Sequence, residues 1–237
     1  PRTLAVILYG DLDISTILDK PKMRTEIKTS IVPQSKYEDM LGFVTSEVKK
    51  GNQAYFVCPK IEGDEEGTTL SVKELYEELS TVLHGVRVGL LHGKMKAKEK
   101  DEIMHSFSKG EIDVIVSTTV IEVGVNVPNA TLMVIEDADR FGLSQLHQLR
   151  GRVGRGQAKS YCILTSHNKN PETNQRMKAF CKTNDGFKIA EEDLRLRGPG
   201  DFFGSRQSGL PVFRVANLSC DLHTLKQAQK ASADWID

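Results

Sequence analysis

The chain has 237 residues, with 32 lysines and arginines against 32 aspartates and glutamates. A net charge of zero excludes any bulk electrostatic case for a polyanionic partner, so such a case has to rest on local charge. The length suffices for one substantial core and a smaller appendage. No apolar run approaches the length of a membrane span, and no signal-peptide pattern is present. Cys58, Cys162, Cys181 and Cys220 show no CxxC spacing, which reads as a reduced, cytoplasmic protein without disulfides. The first residue is Pro1 rather than methionine, which reads as a piece of a longer chain.

In chain order, Leu4 to Tyr9 is apolar and Leu12 to Leu18 alternates like a short strand. The polar connector KPKMRTEIKTSIVP follows, punctuated by Pro21 and Pro33. Residues 1–32 are therefore expected to be the tail of a preceding domain plus a linker. From Lys36 the pattern settles. Met40, Leu41, Val44 and Val48 fall at helical spacing, and Gly51 marks the stop. Ala54 to Cys58 is a short apolar strand, and the acidic loop around EGDEEG comes after it. Leu75, Leu79, Val82 and Leu83 predict the next helix, Val86 to Leu91 the next strand, and Ile103, Met104 and Phe107 a further helix face. Strands are then predicted over Ile112 to Val116 and Thr131 to Ile135. A helix carrying a row of arginines follows, and Ser160 to Thr165 forms a last strand.

Strands that are apolar throughout and separated by helices indicate a parallel sheet covered on both faces. Right-handed crossovers place every loop that follows a strand along one edge, where such folds hold their ligands. His92 to Lys94, Ser117 to Thr119 and the approach to the arginine helix all fall there. His84, His92, His105 and His147 have no second ligand at metal spacing, so no metal site is expected.

Two stretches carry chemistry. QLRGRVGRG (Gln148 to Gly156) sets Arg150, Arg152 and Arg155 among three glycines. Arginine presents a planar fork suited to phosphate oxygens, and glycine lets backbone come close to a ligand. Taken alone, RxxR is a solvated helix end. STTVIEVGVNVPNA, from Ser117, offers hydroxyls and backbone N–H groups that can hold a phosphate, but it also suits an ordinary helix cap. Together these two stretches resemble the fifth and sixth motifs of superfamily-two helicases, in the second of their two RecA-like motor domains. AYFVCPKIE and LHGKMKAKEKDEIMHSFSKGEIDVIVST are similar to the stretches that precede those motifs. DGFKIAEEDLRLRGPGDFFGSRQSG, from Asp185, resembles the translocation motif shared by RecG-type helicases and the transcription-repair coupling factor. The tail VFRVANL is more similar to the RecG type.

The resemblance implies a RecA-like domain over 33–168, followed by a translocation helical hairpin, loop and tail over 169–237. It implies the C-terminal part of an ATP-driven helicase that remodels branched double-stranded DNA, with ATP and Mg²⁺ shared with a first motor domain of the same parent chain. Arg152 and Arg155 would reach the triphosphate, with Gln148 contacting nucleotide or water. Glu122, Gly124 and Asn126 would lie towards the ribose, although Asn126 stands where many members carry aspartate. Lys94, Thr118 and Thr119 would touch DNA backbone. Arg176, Arg197, Arg206 and Gln207 would serve the translocation hairpin. Other readings are the same region of a coupling translocase, or a non-catalytic adaptor of the same fold. No G-x-x-x-x-G-K-[ST] phosphate loop occurs, and Glu136-Asp137-Ala138-Asp139 lies out of order for an acidic magnesium box. The isolated chain is thus expected to be inactive.

Overall fold

A computed structural model describes residues 26–59, 72–118, 127–168, 170–190 and 192–193, together with helical residues 224, 227, 228, 231, 232 and 235. The chain divides into two compact units, one running from Lys20 to Asn184 and the other comprising Pro1–Asp19 and Asp185–Asp237.

The first unit is built on six strands: β1 (Ile27–Val32), β2 (Gln53–Val57), β3 (Val88–Leu91), β4 (Val114–Ser117), β5 (Ala130–Ile135) and β6 (Ser160–Thr165). They form one sheet in the order β1-β6-β5-β2-β4-β3, and every pairing is parallel. The residue pattern accounts for this order. QAYFV, VIVS and ATLMVI are buried at every position and occupy the centre. IKTSIV and VGLL are only partly buried and take the two edges.

Helices α1 (Tyr37–Lys49), α2 (Val72–Val82), α3 (Ala97–Ser108), α4 (Leu143–Arg150) and α5 (Pro171–Lys182) connect and cover the sheet. Met40, Leu41 and Val44 of α1 and Leu75 and Leu79 of α2 pack with Phe56, Val116, Leu132 and Val134 into one core. Each large side chain so buried contributes about 1.5–3 kcal/mol. Side chains alternate along a strand, so Tyr55 emerges on the opposite face. There it meets Phe107 of α3, with ring centroids 4.9 Å apart. Both faces are therefore covered, as the unbroken apolar strands require.

Three expectations change. Residues 27–32, assigned from sequence to the linker, form β1 and run in register with all of β6, from Ile27 opposite Ser160 to Val32 opposite Thr165. The mixed pattern hid an edge strand. Helix α5 packs on β1 within the first unit, so the boundary lies at 184/185 rather than at 168/169. Val82, placed from its spacing on the apolar side of α2, is 49% exposed, while the following Leu83 is buried.

In the second unit, Asp185 starts a short helix over 186–190 by accepting a hydrogen bond from the Phe187 N–H at 2.9 Å. Ile189 is buried there and Phe187 is exposed. Arg197, Arg206 and Gln207 lie outside the described residues, as do Thr119, Glu122, Gly124 and Asn126.

Candidate nucleotide and nucleic-acid site

The parallel sheet has two distinct edges, and the candidate residues divide between them. A strand of four to six residues is about 13–20 Å long, which sets the separation of the two edges.

The arginine stretch sits at the amino edge. Helix α4 ends at Arg150, and its C-cap is Gly151. Arg152 and Arg155 therefore follow the helix in an irregular loop, not on one helical turn as their spacing predicted. Gly154 has φ +74°, a left-handed conformation, and a Cβ there would stand 2.9 Å from Ile27, the first residue of β1. A Cβ on Gly156 would lie 2.6 Å from the Pro128 carbonyl oxygen, just before β5. The glycines thus press the loop down against the start of three strands.

The three arginines have different fates. Arg150 is 2% exposed, and its guanidinium lies 4.0 Å from the Phe180 ring centroid. It donates to the Phe180 carbonyl and to Thr29 Oγ1, each at 3.2 Å, and meets His147 Nδ1 at 3.3 Å. It is a structural pin between α4, α5 and β1. Arg152 is half-buried and Arg155 exposed. Neither forms an ion pair or hydrogen bond among the described residues. Burial pushes the Tyr55 phenol up to about 12, and the charges of Arg155 and Arg152 pull against that rise. Gln148 is on the exposed side of α4, one turn before the loop. Two uncommitted guanidinium groups on a loop held by close backbone contact suit a phosphate-bearing ligand.

The loop geometry gives a direct test. Gly156→Ala should force the loop off Pro128, because the clash is with backbone and cannot be relieved by a rotamer change. Any activity that depends on the loop should fall by about 10²-fold, the scale of a 1 Å misplacement. Thermal unfolding by circular dichroism should show the sheet intact.

The carboxyl edge holds the turn after β3, the end of β4 and the exits of β5 and β6. Lys94 is exposed on that turn, which is closed by the Met95 N–H to the His92 carbonyl at 3.2 Å. Lys100 Nζ also donates to the Gly93 carbonyl at 2.9 Å. Thr118 is 6% exposed, and its buried Oγ1 has no hydrogen-bond partner among the described residues. An unpaired buried hydroxyl costs about 1–3 kcal/mol, so it is a position where a ligand oxygen or a rearranged backbone would be welcome.

An acidic group at the same edge was read from sequence only as an out-of-order acidic box. Glu136 is buried and accepts from the Tyr37 hydroxyl at 3.0 Å and from the Thr165 hydroxyl. Burial pushes its pKa up despite those two donors, and burial likewise raises Asp137. Asp139 accepts from Ser166 Oγ and Asn168 Nδ2, and its backbone carbonyl accepts from Arg176 Nη2. The Glu136 and Asp139 carboxylates tie the exit of β5 to α1 and to the exit of β6, and the Asp139 backbone carbonyl holds α5. Arg176 is half-buried in that tie rather than projecting freely. Its role at this junction could not be read from the spacing of PETNQRMKAFCK. Among the described residues, no group of three or more His, Cys, Asp or Glu could hold a metal ion, and no helix is long and apolar enough to cross a membrane.

A RecA-like parallel sheet with an arginine loop at one edge and polar turns at the other defines a helicase motor domain, and comparison with known proteins agrees. The chain belongs to the helicase conserved C-terminal domain family, whose model matches residues 35–157. The family model for the C-terminal part of domain 3 of the ATP-dependent DNA helicase RecG matches residues 183–237. The whole chain is 52% identical to the RecG helicase of Staphylococcus epidermidis and 54% identical to that of Staphylococcus aureus. It spans 35% and 34% of those proteins. A solved structure of RecG bound to a three-way DNA junction superimposes with a TM-score of 0.73 at 45% identity, over 95% of this chain and 29% of the other.

Proposed function

We propose that this chain is the C-terminal motor portion of a RecG-type ATP-dependent DNA helicase that remodels branched double-stranded DNA in the cytoplasm. The observation that carries the proposal is the arginine loop: two cations with no partner among the described residues, locked by Gly154 and Gly156 against the residues where the 117–128 stretch ends. That stretch begins at Thr118 on the carboxyl edge and reaches Val127 on the amino edge, so it runs from the DNA side to the nucleotide side.

Arg152 and Arg155 face a triphosphate and Mg²⁺ cradled by the first motor domain, and neutralise the charge on the transferring phosphoryl group. Gln148 orients nucleotide or water. Glu122, Gly124 and Asn126 lie along the connecting stretch and contact the ribose or relay between the two sites. Lys94, Thr118 and Thr119 hold DNA backbone, which a translocase must grip without reading sequence. Arg176 anchors α5 to the exit of β5, and Arg197, Arg206 and Gln207 serve the translocation motif. The match of residues 183–237 favours the RecG type over a coupling translocase.

The isolated chain should turn over no ATP, whereas the full-length protein should do so with strong stimulation by three-way junction DNA over linear duplex. A coupled-enzyme ATPase assay on both decides it. Turnover by the isolated chain, or equal stimulation by the two DNAs, would remove the proposal.

A further inference from the structure

Helix α4, which delivers the arginine loop, is tied to the β6–α5 segment at both of its ends. At its exit, Arg150 stacks on Phe180 of α5 and donates to the Phe180 carbonyl. At its entry, the chain leaves β5 through Asp137, which lies in the left-handed region at φ 45°, and makes a 3-10 turn over Ala138–Arg140. Asp139, in that turn, commits both carboxylate oxygens and its backbone carbonyl to the same neighbouring segment. Oδ1 accepts from Ser166 Oγ, and Oδ2 accepts from Asn168 Nδ2 at 3.3 Å. Ser166 Oγ in turn accepts from the Asn168 N–H at 3.0 Å, and Asn168 Oδ1 from the Asn170 N–H at 2.9 Å, directly before α5. The Asp139 carbonyl accepts from Arg176 inside α5. Asp139 and Ser166 are half-buried and Asn168 is exposed. Water competes for such bonds, so this entry clamp adds less to stability than the buried Arg150 does.

We propose that Asp139 is a positioning residue that makes α4 and α5 one rigid body, so that a displacement of α5 reaches the arginine loop in full. The chain of α5 runs on into the second unit at Asp185. The inference rests on the assignment of the loop to nucleotide and of the second unit to translocation on DNA. A helix fixed at one end pivots; a helix fixed at both ends follows its neighbour. The eight residues of α4 set the two clamps about 12 Å apart, which gives the entry clamp a long lever over the direction of the helix. Without Asp139 the exit pin at Arg150 and the close contact at Gly156 still hold the loop itself in place. Hydrolysis then continues, while its link to movement of α5 is lost.

The test is Asp139→Ala and Asn168→Ala in the full-length helicase, with ATP turnover and unwinding of a three-way junction measured on the same samples. In Asp139→Ala, kcat for DNA-stimulated ATP hydrolysis should stay within about twofold of the parent. Junctions unwound per ATP hydrolysed should fall about fivefold or more. Asn168→Ala should lower the same ratio by a smaller factor, and the double variant should be no worse than Asp139→Ala, since Asn168 acts through Asp139. An unchanged ratio in Asp139→Ala overturns the inference. So does a parallel fall in turnover and unwinding with a lowered melting temperature, which is what a purely structural role produces. Should Asp139→Ala fail to fold, the exposed Asn168→Ala decides by the same ratio. A parent protein whose ATP turnover is not stimulated by the junction would instead fail the functional assignment itself, whereas a coupled parent with a coupled Asp139→Ala fails this inference alone.

Discussion

Arg155→Ala in the full-length helicase is expected to lower DNA-stimulated ATP turnover by about 10³-fold or more, the range in which arginine fingers operate. The loss should appear in kcat, with KM for ATP changed little, because the charge that the guanidinium meets develops during transfer. Arg152→Ala should behave similarly. Neither side chain is committed to an internal ion pair among the described residues, and Arg155 is exposed. The protein should therefore remain as stable as the parent, and a melting curve provides the control. Arg155→Lys keeps a charge but lacks the planar fork, so it should recover only part of the rate. Turnover near the parent level in Arg155→Ala would show that the exposed loop serves something other than nucleotide.

Arg150→Ala should do the reverse. Its guanidinium stacks on Phe180 at 4.0 Å and donates to the Phe180 carbonyl and Thr29 hydroxyl, with 2% of the residue exposed. A desolvated cation–π contact is worth about 2 kcal/mol, and hydrogen bonds from a charged donor about 1.5–3 kcal/mol. Bringing the charge into the interior offsets part of this, so the net loss is expected to be about 3 kcal/mol. For a unit of this size that is roughly a 6–12 °C fall in melting temperature. ATP turnover per folded molecule, measured well below the melting temperature, should stay within a few-fold of the parent. The two substitutions, five residues apart, thus separate stability from chemistry.

The parallel sheet was legible in the chain because its central strands are apolar without alternation. AYFVC, VIVS and TLMVI can only sit between two layers of helix, and the structure puts them in three of the four interior places of the sheet. The edge strand β1 was not legible. IKTSIV carries lysine, threonine and serine and resembles a connector, since an edge strand buries only part of its surface. Its pairing with β6 spans more than a hundred residues of sequence, and no local pattern encodes a partner at that distance.

The candidate site shows the same division. The resemblance carried by QLRGRVGRG and STTVIEVGVNVPNA singled out the arginines, the glutamine and the hydroxyls, which residue types and spacing alone left as a solvated helix end and an ordinary cap. It could not sort them, because Arg150, Arg152 and Arg155 are chemically identical until burial distinguishes them. Phe180, some thirty residues away, fixes Arg150 as a pin, and Pro128 against Gly156 fixes where the other two lie. Residue identity determined the kinds of groups this protein brings to a ligand. Tertiary packing determined which of them remain uncommitted and which edge of the sheet they occupy, because burial and close backbone approach depend on contacts between segments distant in the chain.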